Sequence, residues 1–278
     1  MNGAGFGLPR SILREEETMN AQITSNDLQK KIQGYLETLA LETDLARQSD
    51  EMQRYLDFVA RFHQYSPSNI FLIMLTKPDA THVAGYQAWK KMGRYVRKGE
   101  KGIPIFAPLV HREDPDKDDS PKVLSGFRIV YVFDVSQTDG EPLPPVPDWK
   151  SPEKNTEMNE KLIRFAESRG ITVTFKELSG ETQGVSRGGA IEISPNAGTK
   201  TLIHEIAHEL LHQGRYVSDS NVCELEAESV AYCVCRFLDF ASLQCPNYLT
   251  LNAATAVSII NHVQIIQNCT EEIISALV

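Results

Sequence analysis

The feature that most constrains this chain is a short run of histidine and glutamate inside an apolar helical pattern. Residues 201–212 read Thr-Leu-Ile-His-Glu-Ile-Ala-His-Glu-Leu-Leu-His. Residues four apart share one face of an α-helix, so His204 and His208 can present two imidazole nitrogens to one ion. The rest of the run is apolar enough to be buried, and buried polar groups need partners. The pattern therefore predicts a metal site on a buried helix.

The residue after the first histidine adds chemistry to this site. Glu205 lies beside the histidine face, where a carboxylate can take a proton from a metal-activated water. This is the plan of a zinc peptidase active site, with Zn²⁺ as the cofactor and Glu205 as the catalytic residue. Leu211 and Gly214 stand where a metzincin needs Gly and His, so that class is excluded. His212 lies two turns, about 12 Å, beyond His204 and cannot share the ion; it is expected to support the site, face the substrate or cap the helix.

The third ligand should come from a second predicted helix, residues 221–238. Glu224 and Glu228 share one face of it, whereas Glu226 is rotated away by about 200°. Catalytic zinc sites usually have three protein ligands. We assign Glu224 as the third ligand and Glu228 as the carboxylate that holds the other N–H of a histidine. Glu228 as ligand is the alternative, and Glu226 is expected to be a solvated charge.

Two further residues are candidates for the same site. Tyr232 lies on the Glu224 face, and His262 lies on the last predicted helix. Either could stabilise an oxyanion, but both are expected to be packing residues.

His204-Glu-x-x-His208 followed by Glu224-x-x-Ala227-Glu228-x-x-Ala231 resembles the ImmA/IrrE family of gluzincin-type metallopeptidases. Members of that family more often carry Asn or Asp at the position of Glu228. Residues 184–194 predict a hairpin with Gly188-Gly189 as its turn, which fits the edge strand that precedes the metal helix in such folds. That strand could hold an extended peptide by main-chain pairing. A purely structural hairpin is the alternative.

The first half of the chain carries a basic and aromatic segment, although the whole chain has a formal net charge of −9. A local excess of positive charge on an acidic protein favours phosphate as its partner. Aromatic rings among the cations add stacking surfaces for the bases of a single strand. A solvated face with Trp89 in the core is the alternative. The predicted DNA-binding residues are Tyr86, Trp89, Lys90, Lys91, Arg94, Tyr95, Arg97, Lys98 and Lys101. No base-reading motif is visible, so sequence-specific recognition is not predicted.

Three segments resemble the N-terminal domain of ArdC-type antirestriction proteins: Tyr65-Ser-Pro-Ser-Asn69, residues 85–108 and residues 126–140. With the metal motif, the resemblance extends over residues 26–240. It implies an antirestriction protein of a mobile element such as a conjugative plasmid. In that family a single-stranded-DNA-binding domain is followed by a metallopeptidase-like domain, in the order found here. The partners implied are single-stranded DNA and an unidentified protein substrate.

These observations predict an α+β fold of two domains. A mixed α/β DNA-binding domain would be followed by a gluzincin-like domain with a small antiparallel sheet, the His-Glu-x-x-His helix and C-terminal helices. The boundaries are a disordered extension over 1–25, the DNA-binding domain over 26–138, a proline-rich linker over 139–156 and the metal domain over 157–278. The predicted first-domain elements are helices over 28–45, 50–64 and 68–75, a short helix from Val83, and strands over 103–109 and 127–135. The second domain should contain a helix over 157–168, a strand over 172–175, the hairpin, the metal helix, and helices over 221–238 and 253–276.

Composition places the chain in the cytoplasm. It has no apolar run of about eighteen residues for a membrane span, and its start lacks the apolar core of a signal peptide; Met19 could be the natural start. Five cysteines, an odd number, favour free thiols. Besides the DNA-tethered peptidase, two functions stay open. The chain could shield single-stranded DNA and keep a structural or inactive zinc domain. A metal-dependent nuclease is disfavoured, because imidazoles do not make a carboxylate-rich magnesium site.

Overall fold

The computed structural model describes residues 23–41, 45–113, 121–143, 156–180, 182–213, 220–240, 243 and 255–278. The predicted extension over 1–25 and the predicted linker over 139–156 therefore lie largely outside the described residues. The chain is a mixture of helices and short sheets, as predicted.

Three helices begin the fold: α1 (Ser25–Leu41), α2 (Leu45–Phe62) and α3 (Pro67–Thr76). Helix α3 shows how the Tyr65–Asn69 motif folds. Ser66 caps the helix by accepting a hydrogen bond from the Asn69 backbone N–H, and Pro67 stands at the first helical turn, where no N–H is needed. The Asn69 amide then exchanges two hydrogen bonds, of 2.8 and 2.9 Å, with the backbone of Phe106. This motif therefore ties α3 to a strand of the following sheet.

The middle of the chain forms two small sheets. Strands β1 (Val83–Gly85), β3 (Ile103–Arg112) and β4 (Lys122–Asp134) make an antiparallel sheet in the order β1-β4-β3, and β2 (Arg94–Val96) pairs with β5 (Thr138–Gly140). Helix α4 (Tyr86–Lys91) follows β1, and a 3₁₀ turn (Val135–Gln137) follows β4. The helix predicted from Val83 is thus wrong in its first three residues, because these pair with the end of β4.

The C-terminal half contains α5 (Thr156–Ser168), β6 (Thr172–Phe175), β7 (Gly184–Ser186), β8 (Ala190–Ile193), α6 (Thr199–His212), α7 (Ser220–Phe237) and α8 (Ala256–Leu277). Its three strands lie in the order β6-β8-β7. The hairpin β7–β8 is antiparallel, but β6 and β8 are parallel. The sheet of this half is therefore mixed: the predicted antiparallel pairing is present in the hairpin and is wrong for β6. The chain crosses from β6 to the far edge, forms β7 there, and returns as the central strand β8 in the direction of β6.

The two halves share one hydrophobic core. Buried residues of α1, α2 and α3 belong to the same cluster as those of α6, α7 and α8. Polar contacts cross between the halves as well: Asp57 on α2 accepts hydrogen bonds from the Tyr232 hydroxyl (2.8 Å) and from Nε of Arg236 (3.1 Å), both on α7. On α8, the amide of Gln267 donates to the backbone oxygens of His63 and Tyr65. The N-terminal helices are thus packed as part of the metal-helix half.

Within the described residues, no helix is both long enough and apolar enough to cross a bilayer. The cysteines in that part of the chain, Cys223, Cys233, Cys235 and Cys269, form no disulfide.

Candidate metal centre

The two motif histidines meet on one face of α6. This helix begins after Gly198, and its other face is formed by buried apolar residues: Leu202, Ile203, Ile206 and Ala207. The Nε2 atoms of His204 and His208 lie 3.0 Å apart. Burial holds the pKa of His208 below its ordinary value, and the neighbouring His204 lowers it further. A neutral imidazole offers a lone pair, which is what a metal ligand needs.

Helix α7 brings the predicted third ligand to the same point. The Glu224 carboxylate lies 3.4 Å from Nε2 of His204 and 3.3 Å from Nε2 of His208. One ligand atom from each of the three side chains falls within 4.8 Å of the others. Ligand atoms about 2.05 Å from a tetrahedral Zn²⁺ stand about 3.3 Å apart. Two imidazoles and a carboxylate at these separations fit a divalent transition-metal ion.

Glu228 lies on the outer side of His204. Its carboxylate is 3.3 Å from Nδ1 of His204 and also pairs with Nζ of Lys200. Burial alone would raise the pKa of Glu228, but hydrogen bonds with His204 and Lys200 outweigh it and lower the pKa. For His204, burial would lower the pKa, yet Glu228 and the charge of Glu205 raise it. The structure thus brings Glu224 to the Nε2 side of the histidines and Glu228 to the Nδ1 side.

Glu205 is held against the edge strand of the sheet. It is only 7% exposed, and burial raises the pKa of its carboxyl group above the ordinary value. A Cβ atom on Gly184 of β7 would lie 2.7 Å from both Cγ and Oε1 of Glu205. Only glycine at position 184 therefore permits this approach. A carboxylate with a raised pKa next to the candidate metal ligands has the properties of a general base.

The hairpin itself is fastened to the metal helix by Glu209, which the sequence interpretation did not include. Its buried carboxylate accepts hydrogen bonds from the Ser186 hydroxyl (2.6 Å) and from the backbone N–H groups of Arg187, Gly188 and Gly189 (2.9, 2.8 and 2.5 Å). Both glycines have positive φ, as the predicted turn requires. The sequence spacing could have indicated this role, because Glu209 follows Glu205 by four residues and so shares its helix face.

The expectation that Glu226 is a solvated charge is wrong. Glu226 is 1% exposed, and its oxygens lie 3.0 Å from Nε2 of His212 and 2.7 Å from Nδ1 of His262. Burial would raise the pKa of Glu226, but these two hydrogen bonds lower it to about 2. The side of α7 opposite Glu224 faces α8, so it is not solvated.

Tyr232 and His262, the two further candidates for this site, face different partners. The hydroxyl of Tyr232 bonds to Asp57 of α2, which agrees with its expected packing role. His262 is a partner of Glu226, so it is more than a packing residue.

Two of the predicted DNA-binding residues are used inside the fold. Trp89 is 2% exposed, and its indole N–H donates to the Phe133 carbonyl at 2.8 Å, so its predicted stacking role does not fit this position. The Arg94 side chain is hydrogen-bonded to β5 and the residue after it. Its guanidinium donates to the Thr138 hydroxyl at 2.9 Å and to the backbone oxygens of Thr138, Gly140 and Glu141. These hydrogen bonds occupy Arg94 within the fold, so the geometry does not favour the predicted phosphate contact from Arg94.

The remaining residues of the basic segment form what we call the α4–β2 surface, which consists of Tyr86, Lys90, Lys91, Tyr95, Arg97, Lys98 and Lys101. The two tyrosines are 51% and 57% exposed. Arg97 is exposed but paired with Glu100 at 2.8 Å and with Asp139 at 3.4 Å. Across the part of the chain that the structure describes, the four lysine side chains have no ion-pair partner.

Comparisons with known proteins agree in part with these features. Residues 26–173, more than half of the chain, match the family described as the N-terminal domain of anti-restriction factor ArdC. An uncharacterized protein of Bacillus anthracis, pXO2-81, is 29% identical over 241 residues; the match covers 67% of this chain but only 40% of that relative. The chain therefore spans well under half of that relative's length.

Two crystal structures of the antirestriction protein ArdC from the R388 plasmid also resemble this fold. The metal-free structure is 20% identical, with a TM-score of 0.47. The match covers 77% of this chain and 85% of that ArdC chain. The Mn(II)-bound structure is 17% identical, with a TM-score of 0.47. The match covers 80% of this chain and 97% of that ArdC chain.

Proposed function

Because the chain belongs to the family of the ArdC N-terminal domain, we propose that it is an ArdC-like antirestriction protein that binds single-stranded DNA and carries a metal-dependent peptidase site. The observation that carries the peptidase proposal is the convergence of His204, His208 and Glu224 beside the buried Glu205. We propose Zn²⁺ as the resident ion because the donor set is two imidazoles and one carboxylate.

In this proposal each side chain has one task. His204, His208 and Glu224 would hold the ion, and Glu228 would orient His204 through Nδ1. A divalent ion bound there supplies Lewis-acid activation of a water and of a peptide carbonyl. Glu205 would accept the proton of the attacking water and deliver it to the leaving amine. Strand β7, at the edge of its sheet, would pair with the extended substrate backbone.

The first test of the metal site is stoichiometry. Wild-type protein, Glu224→Ala and Glu228→Ala would be stripped with chelator and titrated with Zn²⁺ and, separately, with Mn²⁺. We expect about one ion per wild-type chain, loss of tight binding in Glu224→Ala, and a roughly 10–100-fold weaker affinity in Glu228→Ala. A wild-type protein that binds neither ion would refute the site.

The peptidase itself is tested with Glu205→Gln, which keeps the shape of the side chain and removes the base. Labelled casein and a quenched-fluorescent peptide mixture serve as probes. The variant should bind metal like the wild type and lose hydrolysis. Hydrolysis equal to wild type would remove Glu205 from the mechanism. Absence of hydrolysis in both proteins, with DNA binding intact, would favour the alternative of a DNA-shielding protein whose metal domain is inactive.

For the DNA-binding half we propose the α4–β2 surface as the contact region. The exposed rings of Tyr86 and Tyr95 can stack on bases. The four lysines, which form no ion pair with any described residue, can contact phosphates. Trp89 and Arg94 are left out of this proposal because both are bound within the fold.

Titration of a fluorescent oligothymidine at several salt concentrations tests this surface. Tyr95→Ala should weaken binding by about 1–3 kcal/mol, the usual contribution of one stacked base. Lys90→Ala should make the slope of log affinity against log salt less steep by about 0.7. Phe175→Ala and Lys176→Ala, which change an exposed ring and an exposed cation near β6, are the matched controls. Wild-type affinity in both surface variants would place the DNA elsewhere.

A further inference from the structure

A line of hydrogen-bonded side chains runs from the candidate metal ligand His208 into the protein. Nδ1 of His208 lies 3.2 Å from Nδ1 of His212, and Nε2 of His212 lies 3.0 Å from Oε2 of Glu226. The second oxygen of Glu226 lies 2.7 Å from Nδ1 of His262. We call these four residues the histidine–carboxylate chain. It joins three helices, because His208 and His212 belong to α6, Glu226 to α7 and His262 to α8.

When a metal is bound, the positions of the protons allow the hydrogen bonds of the histidine–carboxylate chain to run in one direction only. Nε2 of His208 faces His204 and Glu224, so its lone pair must be directed at the ion and its proton must be on Nδ1. That N–H can donate only to an unprotonated Nδ1 of His212. The proton of His212 is then on Nε2, where the carboxylate of Glu226 accepts it. Every N–H donor in the histidine–carboxylate chain thus has an acceptor. The Glu226 carboxylate can only accept, so it sets the direction of these hydrogen bonds.

From this geometry we propose that Glu226 is a positioning residue for metal binding, which fixes the tautomer of His212 and through it directs the lone pair of His208 at the ion. The inference rests on the proposed metal site. It assigns Glu226 a role that the separation along α7 does not suggest, since Glu226 is on the face opposite Glu224. It also extends the metal site to α8, where His262 supplies the second donor to Glu226.

The sharpest variant is Glu226→Gln, because it keeps the shape but allows the opposite direction. A glutamine amide can donate to Nε2 of His212, which moves the His212 proton to Nδ1. His212 then donates to Nδ1 of His208, and the His208 proton moves to Nε2, where it blocks the ion. We expect the affinity for Zn²⁺ to fall by about 10–100-fold, as is usual when the partner of a ligand histidine is changed.

A merely structural role would give a different result, since a buried carboxylate that joins three helices also stabilises the fold. The control is Asp57→Asn, which removes the charge of another carboxylate bonded to α7, on the side of Tyr232 and Arg236. Full-length variants would be compared by chelator-competition titration with Zn²⁺ well below their melting temperatures, and by thermal unfolding without metal. Asp57→Asn should lower the melting temperature and leave the affinity unchanged. A Glu226→Gln protein with wild-type Zn²⁺ affinity would overturn the proposal.

A second measurement needs no variant and so covers the case in which Glu226→Gln does not fold. ¹⁵N–¹H correlation spectra of the Zn²⁺-loaded wild type report the tautomer of each histidine. We expect His208 with its proton on Nδ1 and His212 with its proton on Nε2; a His212 proton on Nδ1 would overturn the inference. Failure of the wild type to bind Zn²⁺ refutes the proposed function itself, whereas equal binding by wild type and Glu226→Gln refutes only this inference.

Discussion

At the residue scale, the Glu205 side chain packs closely against Gly184 of β7. An alanine at position 184 would place its Cβ 2.7 Å from the Glu205 side chain, so one of the two must move. We expect Gly184→Ala to lower the free energy of unfolding by about 1–3 kcal/mol, as overpacking usually does. The candidate metal ligands are not touched, so we expect Zn²⁺ affinity to stay at the wild-type value, while any hydrolysis should fall because Glu205, the proposed base, is displaced.

The matched control for this substitution is Gly34→Ala. Gly34 lies within α1, and a Cβ there meets nothing within 4 Å. Alanine in an open helix interior should stabilise by about 0.5–1 kcal/mol. Urea unfolding measures the change in the free energy of unfolding in both variants, and the two changes should have opposite signs. A stabilised Gly184→Ala protein would contradict the close packing of Glu205 against Gly184.

A second residue-scale prediction concerns His63, which is 6% exposed with its ring edge-on to Phe237. Burial lowers the pKa of His63 below 6.5, so the folded state binds its proton less readily than the unfolded state. The stability that the neutral ring contributes is therefore present above about pH 6.5 and is lost as the pH falls from there through the folded-state pKa. His63→Phe cannot titrate. The stability of the metal-free wild type relative to this variant should therefore fall between pH 7 and pH 5, as measured by urea unfolding. A constant difference would show that the pKa is not lowered.

The residue patterns predicted the site only where the partners are local. His204, Glu205 and His208 follow from one helix period, and Glu224 and Glu228 from another. Glu226 was misread because its partners are 14 and 36 residues away, and helix periodicity does not show what covers the opposite face. Trp89 was misread for the same reason: its neighbours in sequence are basic, but the carbonyl that binds its indole belongs to Phe133, 44 residues later.

At the element scale, the Glu209 carboxylate holds the β7–β8 turn on α6. A hydrogen bond to a charged group contributes about 1.5–3 kcal/mol, and three backbone N–H groups of the turn depend on this one carboxylate. Glu209→Ala should therefore speed amide hydrogen exchange at residues 187–189 by tenfold or more. Amides of α8 serve as the internal reference. Unchanged exchange in the turn would show that the hairpin does not need the Glu209 carboxylate for its stability.

The same scale shows which elements the sequence could predict. Every helix that was predicted is present within a few residues. Helix α1 has a buried stripe of helical period, Leu28, Ile32, Leu36 and Leu39, whereas α3 is buried on nearly all sides and α4 buries Trp89 alone. Strands β2 and β5 were not predicted. They are three residues long, carry no alternating pattern, and form only because Arg94–Val96 pairs with Thr138–Gly140 more than forty residues later. The parallel pairing of β6 with β8 depends on the path of the connection, which strand patterns do not report.

At the scale of the whole molecule, the half with the α4–β2 surface and the half with the candidate metal centre are joined through helices. Helices α1 to α3 precede the α4–β2 surface in sequence, but they pack on α7 and α8 within one core. The contacts of Asp57 with Tyr232 and Arg236, and of Gln267 with His63 and Tyr65, join residues 175 to 204 positions apart in the sequence. A core without an internal boundary should unfold as one unit, since neither half can keep its buried surface covered when the other is lost.

We therefore expect urea unfolding of the metal-free protein to show one transition. In a Trp149→Phe background, tryptophan fluorescence reports the surroundings of Trp89 in the first half. Far-ultraviolet circular dichroism reports the helices, and α5, α6, α7 and α8 of the second half contribute much of that signal. Their midpoints should coincide, and Asp57→Asn should shift both downward together, because its hydrogen bonds link α2 to α7. If fluorescence and dichroism gave separate midpoints, or if Asp57→Asn moved only one of them, the halves would be independent units and the shared core would contribute little to their stability.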